Sequence, residues 1–283
     1  MQSIIQKPWH FYRKIILITI IWLHLLVFPR LLNAQAVLGA RELAMGQATT
    51  ALTGSVWSAF SNPAMLPEEH PATSFFAVRY YGLSEISDLA AVISYPTEIG
   101  VFAAGAHRYG FDLFSENRLR IGYKYSFLNF HFGAVVNYSR VVQGGGYGSA
   151  GALGIDIGLA APLSPQLWIA AKATNINNPV YGTRNNEELP RDLSIGLSFE
   201  LSELALFTAE VYKDVRFPVS FRGGIEVAII GGLMGRAGIT TKPQTFSAGF
   251  GYKSSAWNFN IAVQRHEVSM LGLSPAADFK IKW

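Results

Sequence analysis

Three side-chain groupings in the chain could do chemistry, and each needs a particular neighbourhood. His107, His131 and His266 fall on separate extended stretches, and no two of them have metal-ligand spacing. A lipase-type centre needs a serine, a histidine and a third group to orient the histidine. Ser139 and His131 share one face of a stretch, but eight residues of strand put them roughly 26 Å apart. Gly144-Gly-Gly-Tyr-Gly-Ser149 has the glycines of a phosphate loop without its lysine or following helix, and reads as a hairpin tip. The chain has no cysteine, which removes disulfides, thiol catalysis and thiolate metal sites together. The residues call for no enzyme, no metal and no cofactor.

The charged residues form a larger constellation. Arg79, Arg118, Arg120, Lys124 and Arg222 are expected on one interior surface with Asp156, Glu200 and Glu226. Such a surface is either a selectivity lining for an anionic solute or a mutually paired network that fills the interior. Both signs are interspersed on neighbouring stretches, which favours the paired network.

The elements that would position these groups repeat one pattern. Leu119, Ile121, Tyr123, Tyr125 and Phe127 alternate with Arg118, Arg120, Gly122, Lys124 and Ser126; residues 153–160 and 192–201 do the same. Side chains along a strand point to opposite faces with period 2, so each stretch has one greasy face and one polar or glycine-rich face. Fourteen such stretches are expected near 74–81, 88–95, 98–108, 117–127, 129–141, 151–161 and 166–175, then 191–201, 203–213, 217–228, 232–240, 245–253, 256–265 and 275–283. The fold class that follows is all-β: a transmembrane antiparallel barrel of about fourteen strands over 71–283, with its greasy face toward lipid. Aromatics such as Tyr95, Tyr125, Phe127, Tyr252 and Trp257 end several greasy faces, as interfacial girdles do. The last stretch alternates Ala277, Phe279, Ile281 and Trp283 with charges and stops on the aromatic, like the terminal targeting strand of outer-membrane barrels.

Composition agrees. Half the residues are hydrophobic and only 15% are charged. Beyond residue 28 no apolar run approaches the roughly 20 residues of a spanning helix. Residues 1–36 read as a cleaved secretory signal: basic residues, an apolar run from Ile15 to Phe28, Pro29, then small residues for cleavage after Ala34 or Ala36. Four of the 23 basic residues and no acidic ones lie there, leaving 19 of each sign in the mature chain. The net charge of +4 is therefore no footprint of nucleic acid. The expected location is the bacterial outer membrane, with its lipid as the first partner.

Residues 37–70 differ in character. Small residues dominate, with Leu43, Met45, Leu52, Val56, Trp57 and Phe60 as apolar anchors. Ser55 is expected to cap a short helix through Phe60, and Asn62-Pro63 to close it as a turn. A segment of this kind can pack inside a barrel as a hatch, in which Trp57, Phe60, Asn62, Pro63 and Ala64 are the candidate gating residues.

Gly39-Ala40-Arg41, Met45-Gly46 and the run Trp57-Ser-Ala-Phe-Ser-Asn62-Pro63-Ala64 resemble the N-terminal hatch of FadL-like barrels, closest to the PorV/PorQ branch associated with type IX protein secretion. The motif resemblance is confined to this segment; beyond it the likeness is architectural. It implies an accessory or docking component in protein secretion or surface assembly, with secretion machinery or secreted proteins as partners. The alternative it implies is a FadL-like channel for hydrophobic small molecules. The connections are short for a FadL-type capture groove. The family's lateral exit depends on a kink in the third strand, which Gly100 and Gly105 would allow. The longest connection, 175–191, is the candidate partner surface, with Asn177, Tyr181, Arg184 and Glu187 as its candidate contacts; a solvated loop without a partner is the other reading.

Overall fold

The structure is a computed structural model that describes residues 37–145, 148–182, 187–267 and 272–283. The expected signal segment and Arg184 lie outside the described residues. Fourteen strands form one closed antiparallel barrel. They are β1 (Ala72–Arg79), β2 (Ser87–Thr97), β3 (Gly100–Phe111), β4 (Phe114–Phe127), β5 (Phe130–Gln143), β6 (Gly148–Pro162) and β7 (Leu167–Ala173). After a two-residue ladder of β8 (Val180–Tyr181) and β9 (Glu187–Glu188), the wall continues with β10 (Asp192–Leu201), β11 (Ala205–Asp214) and β12 (Ser220–Ile230). It ends with β13 (Leu233–Thr241), β14 (Gln244–Lys253), β15 (Trp257–His266) and β16 (Leu273–Lys282). Each matches its expected stretch to within three residues at either end.

Closure satisfies the backbone. β16 pairs with β15 on one side and with β1 on the other, from Ala72 opposite Lys282 to Val78 opposite Ala276, so no edge is left to hydrocarbon. The alternation expected from the sequence is the alternation of the wall. Leu119, Ile121 and Tyr125 are exposed on the outside, whereas Arg120 and Lys124 are buried on the inside. Turns at the end where β1 begins are two to four residues long, whereas the opposite end carries 80–86 and 174–191. Short turns mark the periplasmic side of such barrels and long loops the outer side. No helix among the described residues is long and apolar enough to cross a membrane; the chain crosses with strands.

The wall is uneven in height. β6 runs fifteen residues and β7 only seven, so the outer half of β6 has no strand beside it on that side. Residues 176 and 177 of the following connection lie along this gap. Ile176 donates its backbone N–H to the Ile155 carbonyl at 2.9 Å. The Asn177 side chain accepts from the Ile155 N–H at 2.9 Å and donates to the Leu153 carbonyl at 2.8 Å, standing in for a missing strand.

Candidate functional site

Residues 37–70 make their long-range contacts with the inner face of the barrel. Gly39 leads into a short helix, α1 (Ala40–Ala44), whose first backbone N–H groups reach Asp278 on β16, at 2.7 Å from Ala40 and 3.3 Å from Arg41. Ser55 accepts from the Trp57 N–H at 3.0 Å and caps a 3-10 turn, Val56–Ala59. Asn62 caps the next turn, Pro63–Met65, by accepting from the Ala64 N–H at 3.1 Å. Its amide donates to the Thr50 carbonyl at 2.8 Å and points at the carbonyls of Leu159 on β6 and Ala171 on β7. Gly158 makes this approach possible: a Cβ there would sit 1.9 Å from the Asn62 Oδ1.

One sector of this interior is apolar. Trp57 packs at 5.8 Å between centroids against Phe76 of β1 and at 6.0 Å against Phe60. Val78, Ala90, Val92, Val101 and Ala103 extend the surface across β1, β2 and β3, and Leu38, Leu43 and Val56 cover it from the segment. Phe60 lies flat enough on β3 that a Cβ at Gly105 would meet its ring at 2.4 Å. β3 pairs with β2 and β4 along its full length without a register shift, so Gly105 makes room for a ring and opens no gap in the wall.

The other sector is charged, and its arginines are paired. Arg41 grips Glu226 with two bonds of 2.8 Å, and Arg236 holds the same carboxylate at 2.5 Å. Glu210 accepts from the Thr49 and Thr50 N–H groups at 2.8 and 2.9 Å and from Arg222 at 3.1 Å. Arg120 pairs with Asp156 and donates to the Phe60 carbonyl at 3.3 Å. Lys124 donates to the Leu66 carbonyl at 2.7 Å and pairs with Glu68 at 2.8 Å. Arg118 pairs with Glu116, and Glu200 accepts from the Thr53 hydroxyl at 2.7 Å. The expected interior charges thus meet residues 37–70 and one another. Arg79 does not join them, because it follows Phe75 and Ala77 onto the exposed outer face of β1.

Sequence reasoning assigned no role to Arg41 and missed Glu42. Glu42 is buried and bonded to the Ser55 hydroxyl, and its Oε2 has no partner among the described residues. Burial, and then the neighbouring Asp278 carboxylate, push its carboxyl up to about 7 against the pull of Arg41. Both residues border a polar cavity of about 830 Å³ toward the short-turn end, with Trp57, Glu200, Arg236 and Lys280 among its walls. Only their position just after the Gly39 turn singles them out in the sequence.

The structure does bring a serine to His131, though it is Ser126 rather than Ser139, at 2.7 Å. Ser126 and Glu68 both address Nδ1 of His131, so no carboxylate orients a histidine whose other nitrogen serves a nucleophile. Among the described residues no group of three His, Cys, Asp or Glu side chains is placed to hold a metal. The 174–191 connection is not a free rim either. Tyr181 and Leu189 are buried with Ala152, and Asn177 is spent on β6, while Glu187 remains exposed.

No protein-family model and no curated protein matches the sequence. Solved structures do match the fold. The toluene transporter TbuX of Ralstonia pickettii superposes with a TM-score of 0.67 at 13% identity, over 87% of this chain and 98% of that one. The monoaromatic hydrocarbon channel CymD gives 0.63 at 12%, over 87% and 97%. A FadL homologue of Pseudomonas aeruginosa gives 0.56 at 10%, over 88% and 97%. These matches overturn the expected placement with the PorV/PorQ branch and, with it, the secretion-docking role and the type IX association. That placement rests on Gly39-Ala40-Arg41, Met45-Gly46 and the run from Trp57 to Ala64, and the docking role on the short loops as well. The Asn-Pro-Ala turn proves to be the piece that seats the segment on β6, and the long loop repairs the wall. What the chain shares with these structures is the fold, a closed fourteen-strand antiparallel barrel of the kind that sits in the bacterial outer membrane.

Proposed function

We propose that the protein is a passive channel for small hydrophobic molecules, with residues 37–70 as its hatch. The observation that carries this reading is the apolar sector between the inner faces of β1–β3 and Trp57 and Phe60, bounded toward the long-loop end by the buried pair of Asp88 and His107. A general porin has a polar, water-filled lumen, and charge pairs occupy that part of this barrel. The named functions of the toluene and monoaromatic channels point to the same solute class. Because β2, β3 and β4 pair without a gap, the path we infer runs inside the wall, past Trp57, to the polar cavity beyond.

The reading is tested with the full-length barrel reconstituted in vesicles and toluene as the probe. Toluene should be taken up faster than by protein-free vesicles, while ion conductance stays far below that of an open porin. Equal uptake with and without the barrel would sink it. A stoichiometric protein partner after extraction in mild detergent, together with unchanged uptake, would sink it too.

A further inference from the structure

The outer faces of the wall strands carry five charged residues among those described: Arg79, Arg108, Arg140, Lys213 and Arg265. All five are cationic. All sit within the last four residues of β1, β3, β5, β11 and β15, the strands that rise toward the long-loop end. None has a carboxylate partner: Arg140 bonds the Ser149 hydroxyl, Lys213 a backbone carbonyl, and the others make no bond among the described residues. The contrast with the interior arginines is sharp, since Arg41, Arg118, Arg120, Arg222 and Arg236 are all ion-paired, and the interior cations without a carboxylate among the described residues, Lys253, Lys280 and Lys282, line the polar cavity at the other end. The opposite end shows aromatics on its outside instead, with Tyr95 against Trp283 and Tyr252 against Trp257.

Unpaired cations at one rim of a lipid-facing wall need anions at the depth of the headgroups. The sector around Arg108 offers more than charge. Leu89 of β2 stands opposite Ala77 of β1 and Arg108 of β3, and Arg79 lies one outward step further along β1. Below these arginines an apolar groove of about 610 Å³ opens on the outer surface. Its floor is small, with Ala77, Ala91 and Ala106, and Phe75 and Leu119 rise beside it.

We propose that this sector is a seat for a lipid whose phosphate headgroup carries net negative charge, with the headgroup on Arg79 and Arg108 and an acyl chain in the alanine-floored groove. A nucleic acid or acidic peptide would use the cations but leave the groove bare, and a zwitterionic lipid would fill the groove without answering the charge. The seat lies on the outside of the barrel and is independent of the solute that the interior passes.

Native mass spectrometry on the full-length protein in mild detergent tests this. Phosphatidic acid and phosphatidylcholine of identical acyl chains are offered in competition, with inorganic phosphate as a third probe. Phosphatidic acid should be retained preferentially and should survive excess inorganic phosphate. Each arginine replaced by glutamine should weaken retention about fivefold, so Arg79→Gln with Arg108→Gln should lose about twenty-fivefold. The paired Arg→Lys variant should keep most of the retention, and Ala106→Phe should lower it by filling the groove. Equal retention of both lipids, displacement by inorganic phosphate, or an unchanged folded double glutamine variant would each overturn the seat. Should the glutamine variant fail to fold, the wild-type competition and Ala106→Phe still decide.

Discussion

Inside one barrel, the wall of β1–β3 and the wall of β4–β13 treat the same hatch segment in opposite ways. Against β1–β3 the segment offers Trp57, Phe60, Leu43 and Val56 to a surface of Phe76, Val78, Val92 and Val101. Such contact is non-directional and can give way to another apolar group of similar size. Against β4–β13 it is held by Glu210, Glu226 and Arg120, each with fixed partners and fixed geometry. Breaking one member of a buried pair leaves a charge with nothing to answer it. The charged side is therefore the anchor, and the apolar side is where the proposed channel would let a solute pass.

The largest test breaks the anchor. Glu226→Ala strands Arg41 and Arg236, and should cost the docked segment about 3–5 kcal/mol. Protease accessibility of residues 37–70 and ion conductance should both rise while the barrel keeps its folded mobility on gels. An undisturbed segment would show that the pairs do not anchor it.

Trp57→Ala tests the other side. Removing a buried indole costs about 3–5 kcal/mol in a closed core. Here the vacated volume lies on the proposed path, so toluene uptake in vesicles should increase several-fold with ion conductance nearly unchanged. A rise in both, or in neither, would mean that the two sectors do not divide the work as argued.

Asn62→Ala removes a cap and the amide bonds to the segment and wall, and should loosen the turn by about 0.5–2 kcal/mol. Hydrogen exchange at Ala64 and Met65 would report it, and an unchanged rate would demote Asn62 to a spectator.

The smallest expected effect concerns pH. The Glu42 carboxyl is pushed up to about 7 by burial from an ordinary value of 4.5. The docked segment then binds a proton that the released one gives up between these values. Its docking should be strongest below pH 4.5, weaken as pH rises toward about 7, and level off above that. Glu42→Gln should flatten that profile. Protection of residues 37–70 measured across this range decides the matter, and a profile that strengthens with pH would contradict the assignment.

Legibility followed the physics of lipid. All fourteen strands were readable because hydrocarbon on one side and a packed lumen on the other force a period of two on every stretch. Arg79 shows where the pattern fails. In Ser74-Phe75-Phe76-Ala77 both phenylalanines are large and apolar, so the alternation carries no parity. The facing of Phe76 toward Trp57 settles it, and turns Arg79 outward. The part played by Asn177 was hidden for a related reason. The asparagines of 174–191 look like those of any solvated loop, and only the length mismatch between β6 and β7 reveals what Asn177 bonds.

The sequence by itself determined the barrel, its strand count and its lipid face, since each follows from local alternation that a membrane imposes strand by strand. Only the tertiary structure decided which charges meet and where the apolar sector lies. Arg41 and Glu226 are 185 residues apart, and closure of the ring is what brings them within 2.8 Å.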